Sequence, residues 1–74
     1  MATINLDALG INCSQLILKL ASATAELKKG DILEVLADCS TVEKTVRIWC
    51  ERTKRPLLWI REEESAKKRC QIQC

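Results

Sequence analysis

Two stretches with the apolar period of a helix, set among short runs with the period of a strand, are what most limits the folds open to this chain. Between Ser14 and Lys29, residues Leu16, Leu20, Ala23 and Leu27 recur at i, i+4, i+7 and i+11, while Lys19, Glu26 and Lys28 face away. That is the pattern of an amphipathic helix, and Lys28 and Lys29 ahead of Gly30 predict its C-terminal end there. A second helix is predicted to begin at Ser40 or Thr41, both capping residues, with Glu43 close behind, and to end before Pro56. Val42, Val46, Trp49, Cys50 and Thr53 share its apolar face.

The intervening runs read as strands. Met1 to Leu6 alternates loosely around Ile4 and Leu6 and leads into a tight loop at Gly10. Asp31 to Ala37, bounded by Gly30 and Asp38, is apolar and partly β-branched, with Glu34 directed to water. Leu57 to Ile60 is a further short run, and Glu62 to Ala66 has the polarity of a hairpin connection, though without Asn-Gly or Asp-Gly. In the last segment Cys70, Ile72 and Cys74 alternate with Arg69, Gln71 and Gln73, which directs three apolar side chains to one face. The expected order is strand, helix, strand, helix, strand, strand. Both helices need a sheet face to cover, and 74 residues leave too little chain to cover the other. An α/β two-layer sandwich follows, with two helices on one face of a four-stranded mixed sheet, as a single domain over residues 1–74. A chain this short buries roughly 60 to 65% of its unfolded surface, so any chemistry belongs on the outside rather than in a large cavity.

Composition removes several classes of function. Twelve Lys and Arg against ten Asp and Glu leave a net charge of +2, which does not mark a nucleic-acid binder. The absence of His removes Ser-His-Asp and Cys-His nucleophile pairs and the commonest zinc ligand. The longest apolar stretch, Leu16 to Ala25, is interrupted by Lys19, Ser22 and Thr24 and is too short to cross a bilayer. Five Cys is an odd number, and the polar N-terminal run offers no apolar core for a secretory signal, so a soluble protein of the reducing cytoplasm is expected.

Sulfur is therefore where chemistry is expected. Cys13 lies where the Gly10 loop meets the first helix, and unpaired backbone N–H groups with the positive end of the helix dipole favour a thiolate there. A thiolate attacks a sulfur, accepts one, or carries it as a persulfide; a buried structural cysteine is the other reading of this position. Cys39, in the loop before the second helix, is a candidate second thiol, reactive or resolving. Cys50, Cys70 and Cys74 fall on apolar faces and are expected to pack in the core. No metal is expected, because no Cys-x2-Cys spacing occurs and a strand would hold Cys70 and Cys74 about 13 Å apart. Glu62, Glu63 and Glu64 take no catalytic role. Lys44, Arg47, Arg52, Lys54 and Arg55 form a basic stripe suited to an acidic partner protein or to phosphates, but two Trp and no Phe or Tyr leave little for base stacking.

The run Leu6-Asp7-Ala8-Leu9-Gly10-Ile11-Asn12-Cys13 resembles the opening of the TusA/SirA-like sulfur-carrier family, whose members carry Leu-Asp-x-x-Gly-Leu-x-Cys-Pro-x-Pro at that place. The resemblance continues through Lys29-Gly30-Asp31, Ala37-Asp38 and Cys50, and the family's fold has the element order derived above. It departs after the cysteine, where the two prolines are Ser14 and Leu16. Ser14 regains an N–H and a hydroxyl able to cap, and Leu16 adds apolar surface to the first turn. The resemblance implies a cytoplasmic sulfur carrier of sulfurtransferase type, not a stand-alone turnover enzyme. Cys13 is its persulfide site, with Gly10, Ser14 and Gln15 supporting the thiolate. It implies a cysteine desulfurase or rhodanese-like sulfur donor and an acceptor protein; no cofactor, membrane or nucleic acid is expected. Two other readings stand beside it: a regulatory or nucleic-acid- or protein-binding module of the same fold without sulfur transfer, and a thiol redox or metal protein.

Overall fold

A computed structural model describes residues 2–74. The chain runs β1 (Thr3–Ala8), α1 (Cys13–Ala25), β2 (Ile32–Ala37), α2 (Val42–Thr53), β3 (Leu57–Glu62), a 3-10 turn (Glu64–Ala66) and β4 (Lys68–Gln73). The sheet order is β1-β2-β4-β3, with β1 parallel to β2 and β4 antiparallel to both β2 and β3. It follows that β1, β2 and β3 share one direction and β4 fills the gap between the last two. Parallel neighbours need a long crossover, which α1 supplies between β1 and β2 and α2 between β2 and β3. This is the expected two-layer α/β sandwich, with both helices on one face of a mixed sheet.

The core lies between the layers. Leu16 and Leu20 of α1, with Val42, Val46, Trp49 and Cys50 of α2, meet Ala8, Leu33, Val35, Ala37, Cys70 and Ile72 of the sheet, and all are buried. The alternation in β2 and β4 is what turns Leu33, Val35, Cys70 and Ile72 inward together. Thr24 joins them; its hydroxyl donates to the carbonyl oxygens of Leu20 (2.9 Å) and Ala21 (3.2 Å), so burial leaves it with partners. Cys74 differs from the expectation for the last strand. It follows the end of β4, half-buried, with its backbone N–H on Asp31 O at 2.8 Å.

Several boundaries shift for identifiable reasons. Met1, included in the predicted first strand, lies outside the described residues, and β1 extends beyond Leu6 to Ala8. Helix α1 ends at Ala25, not near Lys29, because its last turn tightens. The Glu26 N–H donates to Ala23 O (3.3 Å) and the Leu27 N–H to Thr24 O (3.2 Å). The Asp31 carboxylate then holds the next turn by accepting the backbone N–H groups of Lys28 (3.0 Å) and Ala2 (3.1 Å). Gly30, at φ +96°, takes the left-handed conformation that this turn requires, so it serves the approach to β2. At the end of α2, Lys54 adopts φ +58° and Arg55 N–H returns to Cys50 O at 3.0 Å before Pro56 blocks continuation. The connection between β3 and β4 turns with Ser65 and Ala66 both near φ +60°, closed by Glu63 N–H on Lys67 O at 2.7 Å.

The open face of the sheet carries a polar lattice, and Glu34 is part of it instead of pointing freely to water. The Gln71 amide donates to Glu34 Oε1 and the Arg69 guanidinium to Glu34 Oε2, each at 2.7 Å. Arg69 Nε also reaches Glu63 Oε1 at 2.9 Å, and Trp59 Nε1 donates to Gln71 Oε1 at 3.1 Å. Arg61 and Arg69 stand opposite each other across β3 and β4, and the Glu63 carboxylate forms an ion pair with each. The Gln71 amide first and Arg69 second hold the Glu34 carboxyl below the usual carboxylate range.

Two stability outcomes follow. Ile72→Ala leaves a cavity at the centre of the sheet and should lower unfolding free energy by about 2 to 5 kcal/mol, read from the urea midpoint. Because the Glu34 pKa is depressed on folding, its contribution is present above the usual carboxylate range and lost as pH falls through the lowered value. The midpoint gap between wild type and Glu34→Gln should thus shrink between pH 6 and pH 3; a gap that stays constant contradicts the assignment.

Candidate functional site

The register of the parallel pair builds the site. Ala8 of β1 stands opposite Ala37 of β2, so both strands end at one edge and the loops leading to the two helices lie side by side. In open α/β sheets this edge, at the carboxyl ends of parallel strands, is where binding and chemistry collect. The Gly10 N–H donates to Asp38 Oδ1 at 3.0 Å and ties the two loops together, while Leu9 N–H is held by Asp7 Oδ1 at 3.0 Å. Gly10 has φ +76°, and open space lies where a Cβ would project, so what favours glycine there is backbone conformation and not crowding.

Cys13 is the first residue of α1, and Asn12 caps the helix: its Oδ1 accepts the Gln15 N–H at 2.8 Å and its carbonyl the Leu16 N–H at 3.0 Å. Cys39 follows Asp38 in the facing loop. The Cα atoms of Cys13 and Cys39 are 5.7 Å apart and a disulfide joins the two residues across 26 positions of sequence. Both are half-buried. Cys13 Sγ also lies 3.0 Å from Thr41 Oγ1, which is 3.3 Å from Thr45 Oγ1. Thr41 precedes α2 without capping it by its side chain; its hydroxyl turns to the sulfur instead.

Of the residues expected around Cys13, Gly10 shapes the loop, Ser14 is exposed, and the Gln15 N–H is already taken by Asn12. The capping oxygen is that of Asn12, not the Ser14 hydroxyl. The signal for this was readable: Asn followed three residues later by Gln, just ahead of Leu16, is the spacing of a capping box. Thr41 and Asp38 gave no comparable signal, since only the crossover brings them to Cys13.

The remaining cysteines lie elsewhere. Burial pushes the Cys50 thiol up to about 11, partly offset by Arg55, and the Cys70 thiol up to about 12. Both stay protonated at neutral pH. Cys74, beside Asp31 at the start of β2, is at the opposite edge of the sheet from Cys13. Among the described residues no group of three or more Cys, Asp or Glu side chains is placed to hold a metal ion.

Beside the two sulfurs an open groove is lined by Ser40, Thr41, Glu43, Lys44, Arg47, Ile48 and Lys68. The basic stripe is divided among several tasks. Arg47 pairs with Glu43 at 3.2 Å, Lys68 approaches Glu43 at 3.8 Å, and Arg55 lies over the Trp49 ring at 5.4 Å. Lys44 lines the groove with no such pairing among the described residues. Ile17, one turn beyond Cys13, and its neighbour Leu18 are exposed on α1, and Ile48 on α2.

These features sit in a chain whose residues 4–73 match the family model described as Sulfurtransferase TusA. A comparison with curated proteins returns no match. No helix is long and apolar enough to cross a membrane among the described residues. The family match takes in both helices, both loops of the site and nearly the whole sheet, and it shows that the chain belongs to the TusA sulfurtransferase family, a family of sulfur carriers.

Proposed function

We propose that this protein is a small carrier that accepts sulfur as a persulfide on Cys13 and relays it to an acceptor protein. The observation that carries the reading is the place of Cys13, at the first residue of a 13-residue helix on the edge where the two βα loops meet. A thiolate at that position faces the partial positive charge of the helix N-terminus and is the attacking form of the sulfur. Ser14, standing where the family has proline, adds one more N–H to the first turn.

The reaction is a thiol exchange between proteins. The Cys13 thiolate attacks the outer sulfur of a donor persulfide, of the kind a cysteine desulfurase or rhodanese-like protein carries. The donor's S–S bond breaks, the donor thiolate leaves, and the outer sulfur stays on Cys13. No cofactor takes part. A dithiol reductant opens the Cys13–Cys39 disulfide first, which accords with a reducing cytoplasm, where disulfides are transient and chemical instead of structural. Lys44, Arg47 and Lys68 around the groove favour an acidic partner surface, and exposed Ile17, Leu18 and Ile48 offer it apolar contact.

Two measurements test the reading. Incubation of the reduced protein with a cysteine desulfurase and cysteine should add one sulfur to Cys13 by mass spectrometry. Cys13→Ser should add none, and an equal gain by that variant removes Cys13 from the role. Alkylation at neutral pH should label Cys13 faster than Cys74, and leave Cys50 and Cys70 slowest because both are buried and protonated; rapid loss of Cys70 before Cys13 reverses the assignment.

A further inference from the structure

Carrier chemistry on Cys13 needs one thiol, yet the fold delivers a second to it. Cys39 is brought there by the matched ends of β1 and β2 and by the Gly10–Asp38 hydrogen bond between the loops, and its Cα comes to lie 5.7 Å from that of Cys13. That separation lies in the ordinary range for a bonded pair. No other cysteine competes for the position. Cys50 and Cys70 are buried in the core, and Cys74 lies at the far end of a six-residue strand pair, about 20 Å away at strand rise.

We propose that Cys39 is the resolving thiol of this carrier: it attacks the inner sulfur of the Cys13 persulfide and expels the cargo as hydrosulfide. The proposal rests on Cys13 being the persulfide site. In this step the Cys39 thiol gives its proton to solvent, and the resulting thiolate forms a bond to Cys13 Sγ. The bond from Cys13 Sγ to the outer sulfur breaks, and its electron pair leaves on HS−. The two cysteine thiols are oxidised by two electrons and the sulfane sulfur is reduced by the same two. The Cys13–Cys39 disulfide is the product of that step, and an external dithiol returns it to two thiols, as in any dithiol–disulfide cycle.

Attack falls on the inner sulfur because the bonded position of Cys39 is at Cys13 Sγ itself, with Thr41 Oγ1 3.0 Å from the same atom. Loaded sulfur thereby acquires a limited lifetime. It is handed to an acceptor that docks promptly, or it is released inorganically, which makes the substrate class of the second activity a protein persulfide and its product sulfide.

The test compares reduced wild type, Cys39→Ser, Cys39→Ala and Cys74→Ser. Each is loaded with a cysteine desulfurase and cysteine, or separately with inorganic polysulfide, then desalted and followed by intact mass and a sulfide assay. Wild type and Cys74→Ser should release one sulfide per chain while forming a Cys13–Cys39 linkage identified by peptide mapping. Both Cys39 variants should retain the added sulfur at least about tenfold longer and release little sulfide until a dithiol is added. Equal persulfide lifetimes in wild type and both Cys39 variants overturn the proposal, as does sulfide release with the linkage mapped to another cysteine. Matching far-ultraviolet spectra of the two variants exclude misfolding as the cause of a difference. Failure of Cys39→Ser to take sulfur from the desulfurase counts against the carrier reading. In that case the polysulfide-loaded proteins still decide the role of Cys39.

Discussion

The parallel, in-register pairing of β1 with β2 is the constraint on which the rest depends. Six residues face six, from Thr3 opposite Ile32 to Ala8 opposite Ala37, so both strands reach the same edge together. Parallel pairing cannot be closed by a tight turn, and the helix it demands must begin on that edge. Residue 13 opens the first helix and Thr41 precedes the second. The two sulfurs therefore meet as a consequence of strand register, across 26 positions of sequence. A slip of one residue would exchange the faces of Leu33 and Val35 with Glu34, so the buried face of β2 protects the register that the site needs.

Burial sorts the five sulfurs into different chemistries. Cys50 and Cys70 are small apolar fillers between helix and sheet, and their desolvated thiols hold their protons far above neutral pH. Cys13 and Cys39 keep partial exposure at the end of the sheet, where the Gly10–Asp38 hydrogen bond ties the two loops and Cys39 packs against the rim of the core. Cys74 sits past the last strand, where the chain is held by backbone bonds to Gly30 and Asp31. Composition counts five equal thiols, whereas the fold makes them unequal.

The two faces of the sheet are stabilised differently. Helices cover one with aliphatic side chains, and the other is closed by Glu34, Arg69, Gln71, Glu63 and Trp59, bonded to one another across three strands. Such cross-strand pairs let a face without a second layer remain in contact with water. The cysteine pair lies on neither face but where the parallel strands β1 and β2 end.

The sequence by itself determined much of this protein. The 3.6-residue period named both helices, alternation the first and last strands and short apolar runs the two between, and the place of Cys13 where a loop meets a helix, with its family likeness, singled it out as the candidate site, because these are local patterns that a few neighbouring residues express. Asn12 as the cap was legible in the same way. Other features belonged to the tertiary structure. Lys28, Lys29 and Gly30 read as a helix end, yet the Asp31 carboxylate holds Lys28 in a turn after the helix has already closed at Ala25. Glu34 read as a solvent-facing charge, yet it is gripped from β4 by Gln71 and Arg69. The placing of Cys39 and the Thr41 hydroxyl against Cys13 was decided last, by a crossover whose two ends are far apart in the chain. Periodicity carries the direction of a side chain relative to its own element, and only strand order and register convert those directions into neighbours.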